Sequence, residues 1–346
     1  MGQRTFGATE SGAEASLLTI AHPSGIRAAV TNLGATLVSV EVPDAAGTMG
    51  EVVLGWPRTV DYSAHANCYL GSTVGRFGNR IARGKFSLDG QSFQLCTNNT
   101  PGGIACHLHG GDGGFHRRLW TIEEVRADAV RFRYFSAEGE EGYPGNLTAT
   151  VTYRVGPGRE LTWTAEAVTD ATTIVNLVHH PYWNLSGGTV TTIDHHVLQL
   201  FAAAFLPVTE GLIPTGEVRS VDRTLMDFRR PHAVAGRTGA GGYDHCWVLD
   251  RPADGKAMIL AARLSEPESG RVLEVSTNQP GIQFYDGKHL DVSALGHTGI
   301  AYGARAGLCL EPQNFPDAPN HIGFPPCRLG PSEVYTSRVN YKFPLP

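Results

Sequence analysis

Five short segments of this chain gather side chains that could move protons or grip hydroxyl groups. The first is Gly75-Arg76-Phe77-Gly78-Asn79-Arg80-Ile81, and the second is His107-Leu108-His109-Gly110-Gly111, preceded by Asn98-Asn99. The third runs from Asn176 through His179-His180-Pro181-Tyr182-Trp183-Asn184 to Leu185. The fourth is Gly242-Tyr243-Asp244-His245-Cys246-Trp247, and the fifth is Leu310-Glu311-Pro312-Gln313-Asn314-Phe315-Pro316-Asp317. A histidine and a carboxylate form a natural general acid and base pair near neutral pH. Arginine, asparagine and carboxylate groups supply the donors and acceptors that sugar hydroxyls need. Flat aromatic rings suit the faces of a pyranose. Together this is the inventory of a sugar pocket.

Taken singly, each signal has a plainer reading. Glu311 alone is a carboxylate at a strand end, where a surface role is commoner. Asp244 could be a turn residue after Gly241-Gly242-Tyr243, and Arg80 a structural ion-pair partner. Trp183 and Trp247 are expected to fill core, at least in part. On a strand His107 and His109 would face the same side, and His116 could join them around a metal. No cysteine or carboxylate completes an obvious zinc spacing, so neither a metal nor any other cofactor is expected. Gly110 and Gly111 fit a tight turn but lack the strand-then-helix setting of a phosphate loop.

The elements that must position these groups read as strands. Lys85 to Leu95 is KFSLDGQSFQL, with Phe86 and Leu88 on one face, Phe93 and Leu95 likewise paired, and Asp89-Gly90 as a hairpin turn between them. Val125 to Phe135 turns near Ala127-Asp128, Leu147 to Val168 around Gly156-Pro157-Gly158, and Met258 to Val275 near Pro267 to Gly270. Arg58 to His65 is predicted to hold a helical turn, and no longer stretch shows a helical stripe. Many short strands between Gly, Pro, Asn and Asp turns predict an all-β fold, a large antiparallel sandwich or barrel. With no repeat, linker or composition shift, residues 1–346 are expected to form one domain.

Bulk properties narrow the function classes. The 346 residues carry a formal net charge of -5 without a basic stripe, which speaks against nucleic acid as a partner. No apolar run approaches the ~20 residues that span a bilayer, so no membrane is expected. The opening MGQRTFGATESG does not read as a secretory signal. Cys68, Cys96, Cys106, Cys246, Cys309 and Cys327 are spread without a CxxC pair and read as free thiols in a reducing cytoplasm.

In their order along the chain, GSTVGRFGNRIARGKFSLDG, the NN…LHGG…GF…W stretch, NLVHHPYWNLSG, GYDHCWVL, QPGIQFYDG, LCLEPQNFPDAPN and the closing YKF resemble the aldose 1-epimerase (galactose mutarotase) family. The resemblance covers nearly the whole chain. It implies a galactose mutarotase-like β supersandwich with its active site in a cleft on one sheet. It implies a small aldose such as galactose or glucose as substrate. It further implies Glu311 as catalytic base, His180 as catalytic acid, and His109, Arg80, Asn79, Asp244 and Gln283 as sugar contacts. A monomer or homodimer would suffice. Two departures bear on the site. The link from Thr100 to His107 is longer than the family's and makes His107 a competitor of His109. His179 stands where the family more often has asparagine, and on a strand it should point away from His180. Anomer exchange by ring opening would start from an ionised Glu311 and a protonated His180. A two-carboxylate glycoside hydrolase using Asp244 and Glu311, or a sugar-binding protein without catalysis, are the rival readings.

Overall fold

Alternation of apolar and polar residues directs this chain into strands, and the computed structural model, which describes residues 2–9, 11–235, 241–251 and 257–344, is built almost wholly from them. Among the described residues one α-helix occurs, Thr59–Ala64, within the stretch predicted to turn helically. Each predicted hairpin forms. Lys85–Leu88 and Gln91–Gln94 pair around Asp89 and Gly90, whose φ values of 49° and 81° are those such a turn requires. The cross-strand rings of Phe86 and Phe93 stack at 5.2 Å. Thr121–Val125 pairs with Ala129–Ser136, Leu147–Gly156 with Glu160–Thr169, and Ile259–Ser265 with Val272–Thr277.

Three larger sheets organise these strands, and every pairing within them is antiparallel. Gly2–Ala8, Glu14–His22, Ile26–Thr31, Thr36–Pro43 and Met49–Glu51 form a five-stranded sheet in sequence order. A nine-stranded sheet is centred on Glu160–Thr169, Tyr335–Lys342 and Val272–Thr277. A six-stranded sheet runs Tyr182–Trp183, Leu308–Gln313, Gly281–Tyr285, Asp244–Val248, Ala204–Leu206 and Arg219–Ser220. The main hydrophobic core draws on all three, with Val30 and Val40 from the first, Trp163 and Tyr341 from the second, and Trp183 and Phe284 from the third. Tyr341 meets Trp183 at 4.9 Å between ring centroids, which joins the nine- and six-stranded sheets.

Period two sorts the six-stranded sheet into two unlike faces. Trp183, Leu308, Leu310, Ile282, Phe284 and Trp247 point into the main core. Tyr182, Cys309, Glu311, Gln283, Tyr285, Asp244 and Cys246 alternate with them and point the other way, in matching register. Among the described residues no helix is long and apolar enough to cross a membrane.

Candidate active site

The second face of that sheet is the floor of a cleft. Gln283 lies directly opposite Glu311 on one side and Cys246 on the other, with Asp244 opposite Tyr285. The register therefore brings three polar side chains from three strands to one place. His180 joins them just ahead of the edge strand Tyr182–Trp183. Its backbone is pinned on both sides, its N–H donating to Ser72 O at 3.0 Å and its carbonyl accepting from Gly71 N–H at 2.9 Å. This leaves its Nε2 3.6 Å from Glu311 Oε2 and its Nδ1 3.6 Å from Cys309 Sγ. His179 points away, as alternation requires. It is fully buried, stacked on Trp163 and hydrogen-bonded to the hydroxyls of Tyr153 and Tyr341 at 3.1 and 3.0 Å.

A tight loop supplies the other wall. Asn79 and His109 both take left-handed backbone conformations, and each donates its N–H to the other residue: Asn79 to His109 Nδ1 and His109 to Asn79 O, both at 3.1 Å. Because Nδ1 accepts, a neutral His109 must carry its proton on Nε2, as a donor. Gly110 follows at φ 86°, where a Cβ would lie 1.7 Å from Gly75 O, so no other residue fits. Asn98 clamps Leu108 by accepting its N–H at 2.7 Å and donating to its carbonyl at 3.0 Å. Asn99 Oδ1 accepts from Arg80 Nε at 3.3 Å. Arg80 Nη1 reaches Asp244 Oδ2 at 3.4 Å, and Gln283 Nε2 donates to Asp244 Oδ1 at 2.6 Å.

The loop decides between the competing histidines. His109 lines the cleft, despite the long link before it. His107 and His109 do not share a face, because His109 has left the strand Cys106–Leu108 and turned to positive φ. His107 is buried instead between Cys96 O at 2.8 Å and the Tyr143 hydroxyl at 2.7 Å. His116 packs against Tyr69, and among the described residues it does not cluster with His107 and His109 as metal ligands would. The ligand atoms of His109, His180 and Glu311 do lie within 4.8 Å of one another. The hydrogen bond that occupies the Nδ1 lone pair of His109 leaves its Nε2 as a donor, which suits a hydroxyl better than a cation.

All seven predicted site residues line this cleft. Asn67, Tyr69, Tyr182, Tyr285 and His289 line it too, unforeseen from sequence. Tyr182 and Tyr285 lie two residues after His180 and Gln283, so alternation alone could have found them. Asn67, in the 3₁₀ helix Ala66–Cys68, Tyr69 just after it, and His289 in a turn carry no such signal. A separate pocket, lined largely by apolar groups near Tyr302, holds none of the predicted residues.

Electrostatics differ from the expected starting ion pair. Burial pushes the Glu311 carboxyl well above its ordinary range, helped by the charge of Asp244 and opposed by Arg80. Burial also lowers His180 to about 4. Both groups therefore favour their neutral forms in the open cleft, because desolvation penalises each charge. His109 is likewise held neutral, by burial and by the neighbouring His180 and Arg80.

The sequence profile of the family described as Aldose 1-epimerase matches residues 16–342. The chain is 42% identical over 321 residues to a galactose mutarotase of Sus scrofa, covering 92% of this chain and 91% of that one. It is 35% identical over 336 residues to an aldose 1-epimerase of Escherichia coli K12, covering 94% of each. Among solved structures, a GalM/aldose epimerase homologue from C. elegans superposes with a TM-score of 0.87 at 31% identity, covering 95% of this chain and 98% of that one.

Proposed function

The chain belongs to the aldose 1-epimerase family and interconverts the α and β anomers of aldoses, and we propose that Glu311 and His180 carry its proton transfers. Asp244, Gln283, Arg80, Asn79 and His109 hold the sugar. The observation that supports this most is the approach of His180 Nε2 to Glu311 Oε2, 3.6 Å apart at the floor of a cleft otherwise lined by hydroxyl-binding groups. The mixing of all three sheets in one core supports reading the chain as one domain.

In this reading Glu311 takes the proton of the C1 hydroxyl while His180 delivers one to the ring oxygen. The C1–ring-oxygen bond breaks, and C1 becomes a carbonyl. Rotation about C1–C2 presents its other face, and closure returns both protons. General acid and base contributions of about 10²–10⁴ are typical of such groups. The neutral pair that burial favours has the same proton count as the ion pair; the two differ only in which group holds the proton. A protonated Glu311 beside a neutral His180 is also the state reached once the ring is open. The dry floor of the cleft thus favours the open-chain complex, and sugar binding must supply the polarity that restores the ion pair.

Polarimetry on freshly dissolved α-D-galactose and α-D-glucose tests the assignment. Wild-type protein is expected to speed the drift in rotation, and Glu311→Gln to return it close to the buffer rate. An active Glu311→Gln would refute the role of the base.

A further inference from the structure

On the cleft face of the six-stranded sheet, beyond the sugar-holding set, lies a buried glutamine. Gln313 is fully buried on the strand Leu308–Gln313, two residues beyond Glu311, and does not line the cleft. Its Nε2 donates to Gln283 Oε1 at 3.3 Å. Gln283 in turn donates to Asp244 Oδ1 at 2.6 Å, and the second oxygen of Asp244 faces Arg80 at 3.4 Å. The donors run in one direction along this chain.

That direction has a physical cause. An ionised carboxylate only accepts, so Asp244 requires the NH₂ end of Gln283. The carbonyl end of Gln283 must then find a donor, and Gln313 supplies it. A glutamine side chain held at one end keeps torsional freedom; held at both ends, its amide plane is set. The site opposite Gln313 is Gly281, where a Cβ would lie 2.7 Å from Cys246 Sγ and 3.2 Å from the Phe315 ring. The missing side chain leaves the room that Cys246 and the Phe315 ring occupy.

We infer that Gln313 is a positioning residue for substrate binding: it holds Gln283, and through it Asp244, in the orientation that receives the sugar. It does so without touching the sugar or the protons in transfer. The inference rests on the sugar-holding role proposed for Asp244 and Gln283. Removing the donor leaves a buried carbonyl unpaired and frees the Gln283 amide, so KM should rise about tenfold, the size usual for such a loss. Because Glu311 and His180 are untouched, kcat should stay within about twofold of wild type.

The experiment compares Gln313→Met, which keeps length and volume, with Gln283→Met and the double variant, in steady-state mutarotation with thermal melts alongside. The expected result is a raised KM in each single variant and no further rise in the double, since Gln313 acts through Gln283. Gln313→Glu supplies a control should the methionine variant fold poorly. Burial that holds the Glu311 carboxyl protonated acts on a carboxyl at this buried position too, so its O–H keeps the donor and KM stays near wild type at neutral pH, then rises relative to wild type as alkali ionises it. An unchanged KM in Gln313→Met, independent multiplicative effects in the double variant, or a KM in Gln313→Glu already raised at neutral pH and flat into alkali would overturn the inference. If Gln283→Met itself leaves KM unchanged, the sugar-holding assignment fails and takes the inference with it. A raised KM there beside a normal one in Gln313→Met defeats the inference alone.

Discussion

On one side of the six-stranded sheet, Trp183, Trp247, Ile282, Phe284, Leu308 and Leu310 are buried against other apolar side chains of the main core. On the other side of the same strands, Asp244, Gln283 and Glu311 are also largely removed from water, yet Glu311 Oε2 is buried without a hydrogen-bond partner. Glu311 and His180 are held away from their ordinary proton affinities. The core face gains free energy from every atom it covers. The cleft face gives some up, because polar groups left unpaired and uncharged are ready to engage a ligand. His179 and His180 show the same contrast one residue apart. The first has both ring nitrogens occupied by tyrosine hydroxyls, whereas the second has its Nε2 toward a carboxylate it does not yet bond.

Changes on the cleft face should cost activity and spare stability, and changes on the core face should do the reverse. The largest effect is expected from Glu311→Gln, with a loss of kcat of at least about 100-fold and sugar binding largely kept. The same variant should melt higher than wild type near pH 8. Burial raises the folded carboxyl above its unfolded value, so the stability it contributes is complete below about pH 4.5 and is lost as pH rises. Glutamine has no charge to desolvate. A lower melting temperature at pH 8 would contradict the proposed cost of that buried carboxylate.

His180→Asn should lose about 100-fold in rate and alter the pH–rate profile. An unaltered profile would remove His180 from the acid role. Leu310→Ala, on the core face beside Glu311, should lose about 2–5 kcal/mol of stability in urea titration while the folded fraction keeps a near-normal kcat. A kcat collapse in folded protein would show that the two faces are not separable.

The smallest effect concerns His179. Burial lowers it to about 3, while an unfolded histidine titrates near 6.5. The unfolded chain therefore binds a proton that the native protein refuses, and stability falls as pH drops from 6.5 toward 3. His179→Gln, which can still bond the tyrosine hydroxyls, should flatten that slope in urea titrations between pH 6.5 and 4. An unchanged slope would place the acid sensitivity elsewhere.

The sequence by itself determined what depends on near neighbours. Period-two alternation and the Asp89-Gly90 turn are local properties, and they carried the strands, the hairpins and the all-β class. Alternation also set His179 against His180 before any contact was known. Glu311, His180, Asp244 and Gln283 were singled out by the family resemblance of their segments rather than by side-chain type alone. Only the tertiary structure decided which of two similar candidates lies in the cleft. Arg76 and Arg80 share one segment, but Arg76 spends its guanidinium on Ser136, Ala137, Pro144 and Gly145, while Arg80 faces Asp244. His107 and His109 separate because one residue turns to positive φ. Asn67 and Tyr69 reach the cleft from one short 3₁₀ helix and its end, and His289 from a turn more than two hundred residues later. The proton affinities of Glu311 and His180 belong to this second group. A strand sets the direction of its side chains locally, but whether water covers that side depends on distant segments folding over it.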